Sequence, residues 1–175
     1  SSPPGAAILS ALGYGEAQAR ALETIINAVP CDLVIIAIGV VPRMELVAGT
    51  DVKTNRGIIV DRFMRTNVPD VYASGDVAEA YDFILDENRL LALWPLAQLE
   101  GRVAGYNMAG KKTDYPGGTS MSALKYFDIP IISVGIANPK EDDTYEILVK
   151  HDHEKDLYKK LLLRDNVVVG MIFVN

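Results

Sequence analysis

The sequence predicts an α/β block followed by a β-rich block, with the boundary near Lys112. Up to that point, apolar strand-like segments are interspersed with helix-compatible ones, and the block closes with a helix that Pro95 opens. Beyond residues 115–118, which read Tyr-Pro-Gly-Gly, apolar runs rich in β-branched residues follow one another with turn residues between them. The domain segments we expect are 1–42, 43–112 and 113–175.

The N-terminal part contains one strong strand and one open alternative. Residues 16–28 are Ala-rich and suit a helix, but the alternation over 17–24 also permits a strand. Residues 32–38 are continuously apolar, which is typical of a strand buried on both faces of a sheet. Gly39 ends this strand, and Pro42 prevents its continuation.

The middle of the chain predicts two short strands and a helix. The strands are expected at 57–61 and 71–74. Residues 79–89 read as a polar excursion without a carboxylate pair placed for acid–base catalysis. A helix is expected from Pro95 to about residue 108, because proline suits the first helical turn and Gly110 suits the C-terminal cap.

The last third of the chain predicts an antiparallel β meander. Its apolar runs are separated by turn residues, and Asp165-Asn166 is expected to make the last hairpin turn. The predicted strands are 131–136, 145–151, 157–164 and 167–174.

Composition restricts the classes of function. The chain has 175 residues, a net charge of -6 and one cysteine. The charge argues against a nucleic-acid partner, and no apolar run approaches the ~20 residues that span a bilayer. One cysteine can form neither an internal disulfide nor a cysteine-rich zinc site. We therefore expect no nucleic acid, no membrane and no metal, and a cytoplasmic location.

The strongest chemical signal spans residues 66–76, which read Thr-Asn-Val-Pro-Asp-Val-Tyr-Ala-Ser-Gly-Asp. A turn leads into a short strand, and a carboxylate follows at its C-terminal end, where ligands bind in open α/β sheets. Ser74 and Gly75 let a ligand approach the backbone, and Asp76 offers an acceptor for a ligand hydroxyl. On the pattern alone, a strand-turn in which Gly75 and Asp76 merely cap the next element is an equal alternative.

This run resembles the second FAD-binding motif of the pyridine nucleotide-disulfide oxidoreductase family, Thr-x-x-Pro-x-(Ile/Val)-(Tyr/Phe)-Ala-x-Gly-Asp. The resemblance implies that Asp76 binds the ribityl chain of FAD close to the pyrophosphate, with Gly75 and Val77 beside it. Residues 31–42 resemble the strand that leaves the family's NAD-binding domain and re-enters its FAD domain. That likeness implies that Gly39 lies near the nicotinamide nucleotide.

Residues 93–105 resemble the family's helix whose N-terminus points at the flavin ring. The free N–H groups and positive dipole end of such a helix stabilise negative charge on the reduced flavin. Leu96 stands where relatives commonly have Asn, so only its backbone is expected to contribute. Without the preceding motif, the segment would read as an ordinary core helix. The residues implied to face the flavin are Trp94, Pro95, Leu96 and Ala97.

The resemblance covers about residues 29–175. It implies a partial FAD/NAD(P)-binding Rossmann-like region followed by an interface domain, with a homodimer formed through residues 113–175. The subgroup it resembles most comprises NADH oxidases, rubredoxin reductases and nitrite reductase flavin modules. The implied function is that of the C-terminal part of a flavoprotein passing hydride from NAD(P)H to FAD, with no catalytic side chain of its own. A folded interface or scaffold module that binds no cofactor is the alternative.

Several features differ from those of a complete family member. Gly13-Tyr14-Gly15 suggests a glycine-rich loop, but Gln18 stands at the third glycine position and no acidic residue closes a second strand. A nucleotide loop there is the last-ranked hypothesis, and we expect the chain by itself to show no turnover. Cys31 has no Cys-x-x-Cys partner and is expected to pack. His151 and His153 lie in a charged turn and are not expected to hold a metal.

Overall fold

The computed structural model describes Thr24, residues 39–139 and residues 144–175. The chain divides into two units, Ser1–Val41 and Pro42–Asn175. In the first unit only Thr24, which is helical, and residues 39–41 are described. The predictions that lie outside the described residues concern the loop at 13–15, the rest of residues 16–28, Cys31 and the strand at 32–38.

The first part of the unit Pro42–Asn175 is a three-stranded mixed sheet with one long helix. Strand β1 (Ile58–Ile59) runs parallel to β2 (Ala78–Asp82), which pairs antiparallel with β3 (Glu87–Leu90). Helix α1 spans Trp94–Met108, with Pro95 in its first turn and Gly110 at φ +78° just after its end. The predicted α/β character and the predicted helix are confirmed.

The core of this part lies between the small sheet, the segment after β1, and α1. Asn107, in the last turn of α1, ties the helix to its surroundings. Its Nδ2 donates to the carbonyl oxygens of Val103 and Thr113, at 2.9 Å and 2.8 Å, and its Oδ1 accepts from the Thr113 N–H at 3.0 Å. The buried apolar residues of the core are Ile58, Val60, Met64, Ala73, Ala78, Ala80, Val103, Ala104 and Tyr115.

The polar excursion predicted at residues 79–89 is wrong, because this segment forms the β2–β3 hairpin. Its acidic residues are tolerated in the sheet because they find donors inside the protein. Glu79, which is buried, accepts the backbone N–H of Gly57 at 2.6 Å. Asp82, also buried, accepts the N–H of Ile84 at 2.9 Å.

The prediction of a strand at residues 71–74 is also wrong. The chain makes only an isolated bridge there, between Tyr72 and Arg65. It turns sharply at Asp70, whose φ is +61°, so little length is left for pairing before the next turn begins at Gly75. The strand predicted at 57–61 is confirmed in the shorter form of β1.

The C-terminal part is a five-stranded antiparallel sheet in the order β4-β5-β8-β7-β6. The predicted β-rich block and its last hairpin turn are confirmed, with Asp165 and Asn166 at φ +52° and +61°. The strands are β4 (Met121–Tyr126), β5 (Ile129–Gly135), β6 (Glu146–Asp152), β7 (Leu157–Arg164) and β8 (Val167–Val174).

The predicted meander is wrong in two respects. β4 was not expected, because its sequence Met-Ser-Ala-Leu-Lys-Tyr contains no β-branched residue. In addition, β8 rather than β6 lies beside β5. β8 carries the most continuous apolar run of the five strands, and the centre of the sheet is where such a strand is best covered.

Close contact between β5 and β8 depends on glycine. A Cβ added to Gly170 would collide with the carbonyl oxygen of Ile136, just beyond the end of β5. Gly135 adopts φ +68° at this point, and Ile136 donates its N–H to the Val169 carbonyl at 3.0 Å. No side chain fits at Gly170 without moving one of the two strands.

Replacing Gly170 with alanine is therefore expected to lower the free energy of unfolding by about 2–4 kcal/mol, because the strands must separate to admit a methyl group. Urea denaturation measures the change. The matched control is Gly105→Ala on α1, where an added Cβ meets nothing within 4 Å. That control should raise the free energy by up to about 1 kcal/mol, as expected for alanine in a helix. Unchanged stability of Gly170→Ala contradicts the packing argument.

Candidate functional site

A left-handed glycine forms the turn after the isolated bridge. Gly75 has φ +76° and begins a single 3₁₀ turn, Gly75–Val77. Glycine adopts this backbone conformation without the steric penalty that other residues incur. A Cβ added to Gly75 would lie 3.5 Å from the Cβ of Ala97, so the first half of α1 packs directly on the turn. Gly101 extends this contact, because its added Cβ would lie 3.8 Å from Ser74 Oγ.

The carboxylate of Asp76 projects from this turn into solvent. Its side chain is exposed and makes no hydrogen bond or ion pair with any described residue. The turn is therefore held by its backbone and by α1, and the Asp76 carboxylate stays available to a ligand.

The N-terminus of α1 is open in the same part of the molecule. Leu93, at the N-cap, is extended and provides no side-chain hydrogen bond to the first turn. Trp94 is 74% exposed and Pro95 is exposed as well. The Leu96 side chain instead turns inward and is 7% exposed. A Cβ added to Gly118 would lie 2.7 Å from Leu96 Cδ1, so this side chain packs in the interior.

The structure thus brings together part of the predicted site. Gly75, Asp76, Val77 and Ala97 form one cluster, and Trp94 and Pro95 lie in the same first turn of α1, three and two residues before Ala97. Leu96 presents only its backbone there, as its departure from the family pattern implies. Gly39 belongs to the unit Ser1–Val41; it is exposed, has φ +101°, and an added Cβ would meet nothing within 4 Å.

Sequence reasoning missed Glu100, the acidic residue buried beside this cluster. It is 2% exposed, and its Oε2 accepts the backbone N–H of Gly75 at 2.7 Å. Its Oε1 accepts the hydroxyl of Tyr115 at 3.3 Å, and Tyr115 is fully buried. The sequence signal that could have identified Glu100 as buried is its spacing. Glu100 lies four residues after Leu96 and three before Val103, and this spacing places it on the buried face of α1.

This environment shifts the protonation of both buried groups. Burial raises the pKa of the Glu100 carboxyl from its ordinary 4.5 to about 7, against hydrogen bonds from Gly75 and Tyr115 that lower it. The negative charge of Asp76 raises it further. Burial, and then the charge of Glu100, raise the pKa of the Tyr115 hydroxyl above its ordinary 10. At neutral pH the carboxyl of Glu100 therefore lies near its titration midpoint.

The described residues contain neither a metal cluster nor a membrane-spanning helix. The rings of His151 and His153 lie 3.8 Å apart, but no group of three or more His, Cys, Asp or Glu in the described ranges could hold a metal ion. Among the same residues, no helix combines the length and hydropathy needed to cross a membrane.

Two family models match the sequence. The model described as pyridine nucleotide-disulphide oxidoreductase matches residues 13–101. The model of the rubredoxin NAD+ reductase C-terminal domain matches residues 121–175. The first match ends inside α1, and the second covers the antiparallel sheet.

Curated relatives include a nitrite reductase [NAD(P)H] of Bacillus subtilis, 32% identical over 149 residues. An NADH-rubredoxin oxidoreductase of Clostridium acetobutylicum is 33% identical over 136 residues. These alignments cover 83% and 77% of this chain, but only 17% and 33% of the relatives. The chain therefore spans a third or less of either protein.

Solved structures agree with this relationship. The NADH:rubredoxin oxidoreductase of Clostridium acetobutylicum superposes with a TM-score of 0.63 at 30% identity, covering 95% of this chain and 41% of that one. An FAD-dependent pyridine nucleotide-disulphide oxidoreductase of Desulfovibrio vulgaris gives a TM-score of 0.70 at 27% identity, covering 82% and 37%.

The raised pKa of Glu100 makes a prediction for stability against pH. The unfolded chain loses this proton near pH 4.5 and the folded protein near pH 7, so the folded state binds more protons in between. This contribution to stability is fully present below about pH 4.5 and is lost as the pH rises through 7. Its full size is roughly 3 kcal/mol at 1.36 kcal/mol per pKa unit.

Glu100→Gln removes the titration while keeping an oxygen acceptor for Gly75. Urea unfolding between pH 4.5 and 8 should therefore show the variant gaining stability relative to wild type as the pH rises. Glu146→Gln, on exposed β6, is the matched control and should differ from wild type by a constant amount. Parallel profiles for wild type and Glu100→Gln would show that Glu100 does not titrate in this range.

Proposed function

Because the chain belongs to the pyridine nucleotide-disulphide oxidoreductase family, we propose that it is the C-terminal part of a flavoprotein that passes hydride from NAD(P)H to FAD and on to an acceptor. The family resemblance expected from residues 66–76 is confirmed, and so is the expectation of FAD and NAD(P)H at the level of the family. This chain covers only 17% and 33% of the length of the two curated relatives described above. The hydride-transfer activity of a whole protein is therefore proposed here and does not follow from the family alone.

One observation carries this proposal. The Gly75 turn is held against α1, while the Asp76 carboxylate beside it is exposed and engaged by no described residue. A turn that served only to cap the next element would be expected to use its carboxylate for that purpose. An exposed acceptor on a fixed turn suits a polyhydroxyl chain such as the ribityl group of FAD.

The residues present fit the flavin nucleotide in two further ways. Glycine at position 75 contributes no side chain of its own, so on the side away from α1 its backbone is not covered by a Cβ. The start of α1 lacks a side-chain cap, and the N–H groups of Trp94 and Leu96 bond to no described residue, so they and the positive dipole end are free to face negative charge; Pro95 has no N–H, and the Ala97 N–H is bonded to the Leu93 carbonyl at 2.9 Å. Asp76, with Gly75 and Val77, would hold the ribityl chain, and the backbone of residues 94–97 would face the ring.

The flavin would supply the hydride chemistry, and this chain's residues would position it and adjust its charge. We assign no catalytic side chain to the chain. Gly39 is proposed to lie near the nicotinamide nucleotide, in a segment 1–42 that ends an NAD(P)-binding region. Residues 43–112 are then the last part of the FAD domain. Without glycine-rich nucleotide loops of its own, the chain by itself is proposed to be inactive.

A folded interface or scaffold module is the alternative proposal. The same skeleton can persist without a cofactor, because the core beneath the turn is formed by buried apolar side chains of the chain itself. FAD binding separates the two proposals.

Added FAD should bind the purified chain saturably and shift its visible spectrum, and Asp76→Ala should weaken binding by about tenfold or more. The reason is that removing an unpaired carboxylate deletes the acceptor for ligand hydroxyls without disturbing a protein contact. Titration followed by flavin fluorescence gives the Kd of both proteins.

Asp51→Asn is the matched control, since Asp51 is exposed and its carboxylate makes no hydrogen bond or ion pair with the described residues. It should leave the Kd unchanged, and circular dichroism should show that Asp76→Ala is folded. A colourless wild-type protein that binds no added FAD favours the scaffold alternative.

A homodimer through residues 113–175 is the second part of the proposal, together with a cytoplasmic location. Exposed apolar side chains of the antiparallel sheet and its β4–β5 turn support association, because in a monomer they remain in contact with water. They include Leu124, Tyr126, Phe127, Ile132, Ile147, Leu148 and Val149, each between 43% and 83% exposed. Leu124, Ile147 and Val149 lie on one face of the sheet, and Ile132 and Leu148 lie on the other.

Sedimentation equilibrium is expected to give twice the monomer mass of 19.1 kDa, since burying these side chains removes apolar area from water. A variant with Leu124→Lys and Val149→Lys, which change one face of the sheet, should sediment closer to the monomer. A clean monomer for the wild type at concentrations of about 100 µM contradicts the homodimer.

A further inference from the structure

We propose that Glu100 is a positioning residue of the FAD site, whose buried carboxylate holds the Gly75 turn on α1 and thereby sets the place of Asp76. This inference rests on the proposed function, because it assigns the turn a cofactor to hold. Glu100 itself is assigned no contact with the flavin or with a substrate. It acts through the backbone of the residue before Asp76.

The geometry of the clamp is specific. Glu100 Oε2 accepts the N–H of Gly75 at 2.7 Å, a short bond of the kind that charged acceptors make with backbone donors. Gly75 is the first residue of the turn and carries its positive φ, so this bond acts where the chain changes direction. The bond also joins two segments that are 25 residues apart.

The other oxygen of Glu100 also has a hydrogen-bond donor inside the protein. Tyr115, which comes from the segment after α1, donates its hydroxyl to Oε1 at 3.3 Å and is itself completely buried. Its backbone is fixed in turn, because its N–H donates to the Arg62 carbonyl at 2.6 Å and its carbonyl accepts Arg62 Nε at 2.7 Å. The carboxyl of Glu100 therefore has little freedom to release Gly75 by rotation.

The charged and titratable groups around Glu100 come from four segments of the chain. Asp76, on the turn, faces it with a negative charge, and Tyr115 faces it as a neutral donor. On the far side of Tyr115, the negative charge of Asp82, on β2, raises the pKa of the Tyr115 hydroxyl, and the positive charge of Arg62 lowers it. No cation among the described residues forms an ion pair with Glu100.

When Glu100 is ionised, its negative charge therefore lies beside Asp76 and beside the place proposed for the FAD pyrophosphate. A bound dianion next to an ionisable carboxyl raises the pKa of that carboxyl. By linkage, protonation of Glu100 must then strengthen FAD binding to the same extent. Because the pKa of Glu100 is already about 7, this coupling acts around neutral pH.

The experiment measures the Kd of the full chain for FAD between pH 6 and 8.5. For the wild type, the Kd is expected to rise about three- to tenfold over this range, which corresponds to a pKa shift of up to one unit on binding. Glu100→Gln should bind FAD with a Kd independent of pH, because it keeps the acceptor for Gly75 and loses the charge. Glu100→Ala should bind more weakly at every pH, because the turn is released.

Glu146→Gln, on the exposed face of β6, is the control and should retain the wild-type pH profile. The ¹⁵N amide resonance of Gly75 provides a readout that needs no cofactor. In the wild type it should titrate with a midpoint near pH 7, and in Glu100→Gln it should not titrate. If Glu100 had only a structural role, Glu100→Ala would lower the free energy of unfolding, but the Gly75 resonance of the wild type would not titrate near pH 7.

The outcomes separate this inference from the proposed function. Absence of FAD binding at every pH overturns the proposed function, and the Gly75 resonance then still tests the clamp. FAD binding with a flat pH profile in the wild type overturns the inference alone. So does a Gly75 resonance that shows no titration near pH 7, or a Glu100→Ala variant that binds FAD as tightly as the wild type.

Discussion

The hydrogen bond from the Gly75 amide to Glu100 joins the two elements on which the proposed site depends. The turn at Gly75–Val77 has no regular strand before it, since Tyr72 makes only an isolated bridge. Its position is therefore set from the side of α1, by Glu100 and by the packing of Ala97. Without that attachment, Asp76 would stand on a short loop with little to orient it, and preorganisation is what a cofactor site requires.

Local sequence patterns are sufficient to identify the site motif and its helix. Residues 66–76 carry the small residues and the carboxylate in contiguous order, and Pro95 marks the start of α1. Such signals are short-range, and one sequence suffices to find them. The family resemblance then places the motif beside the helix, an arrangement that neither pattern shows by itself.

The remaining features depend on contacts between distant residues. Glu79 reads as part of a polar excursion because its partner, the amide of Gly57, lies 22 residues away. β4 gives no strand signal because its strand character comes from pairing with β5 rather than from its own composition. Glu100 is detectable only from its place on the buried face of α1, and its effect on Gly75 requires the three-dimensional arrangement.

The burial of Glu100 is best understood by comparing it with the residue that would fit the same space. Glutamine has nearly the same shape, can accept from Gly75, and needs no ionised group inside the protein. At pH above 7, an ionised Glu100 is a buried negative charge beside Asp76, which destabilises the fold relative to a neutral side chain. A protein selected only for stability would gain from the neutral residue. Carboxyls whose pKa is raised by burial and by a neighbouring charge, as here, are concentrated at functional sites, which agrees with a place for Glu100 beside a bound cofactor.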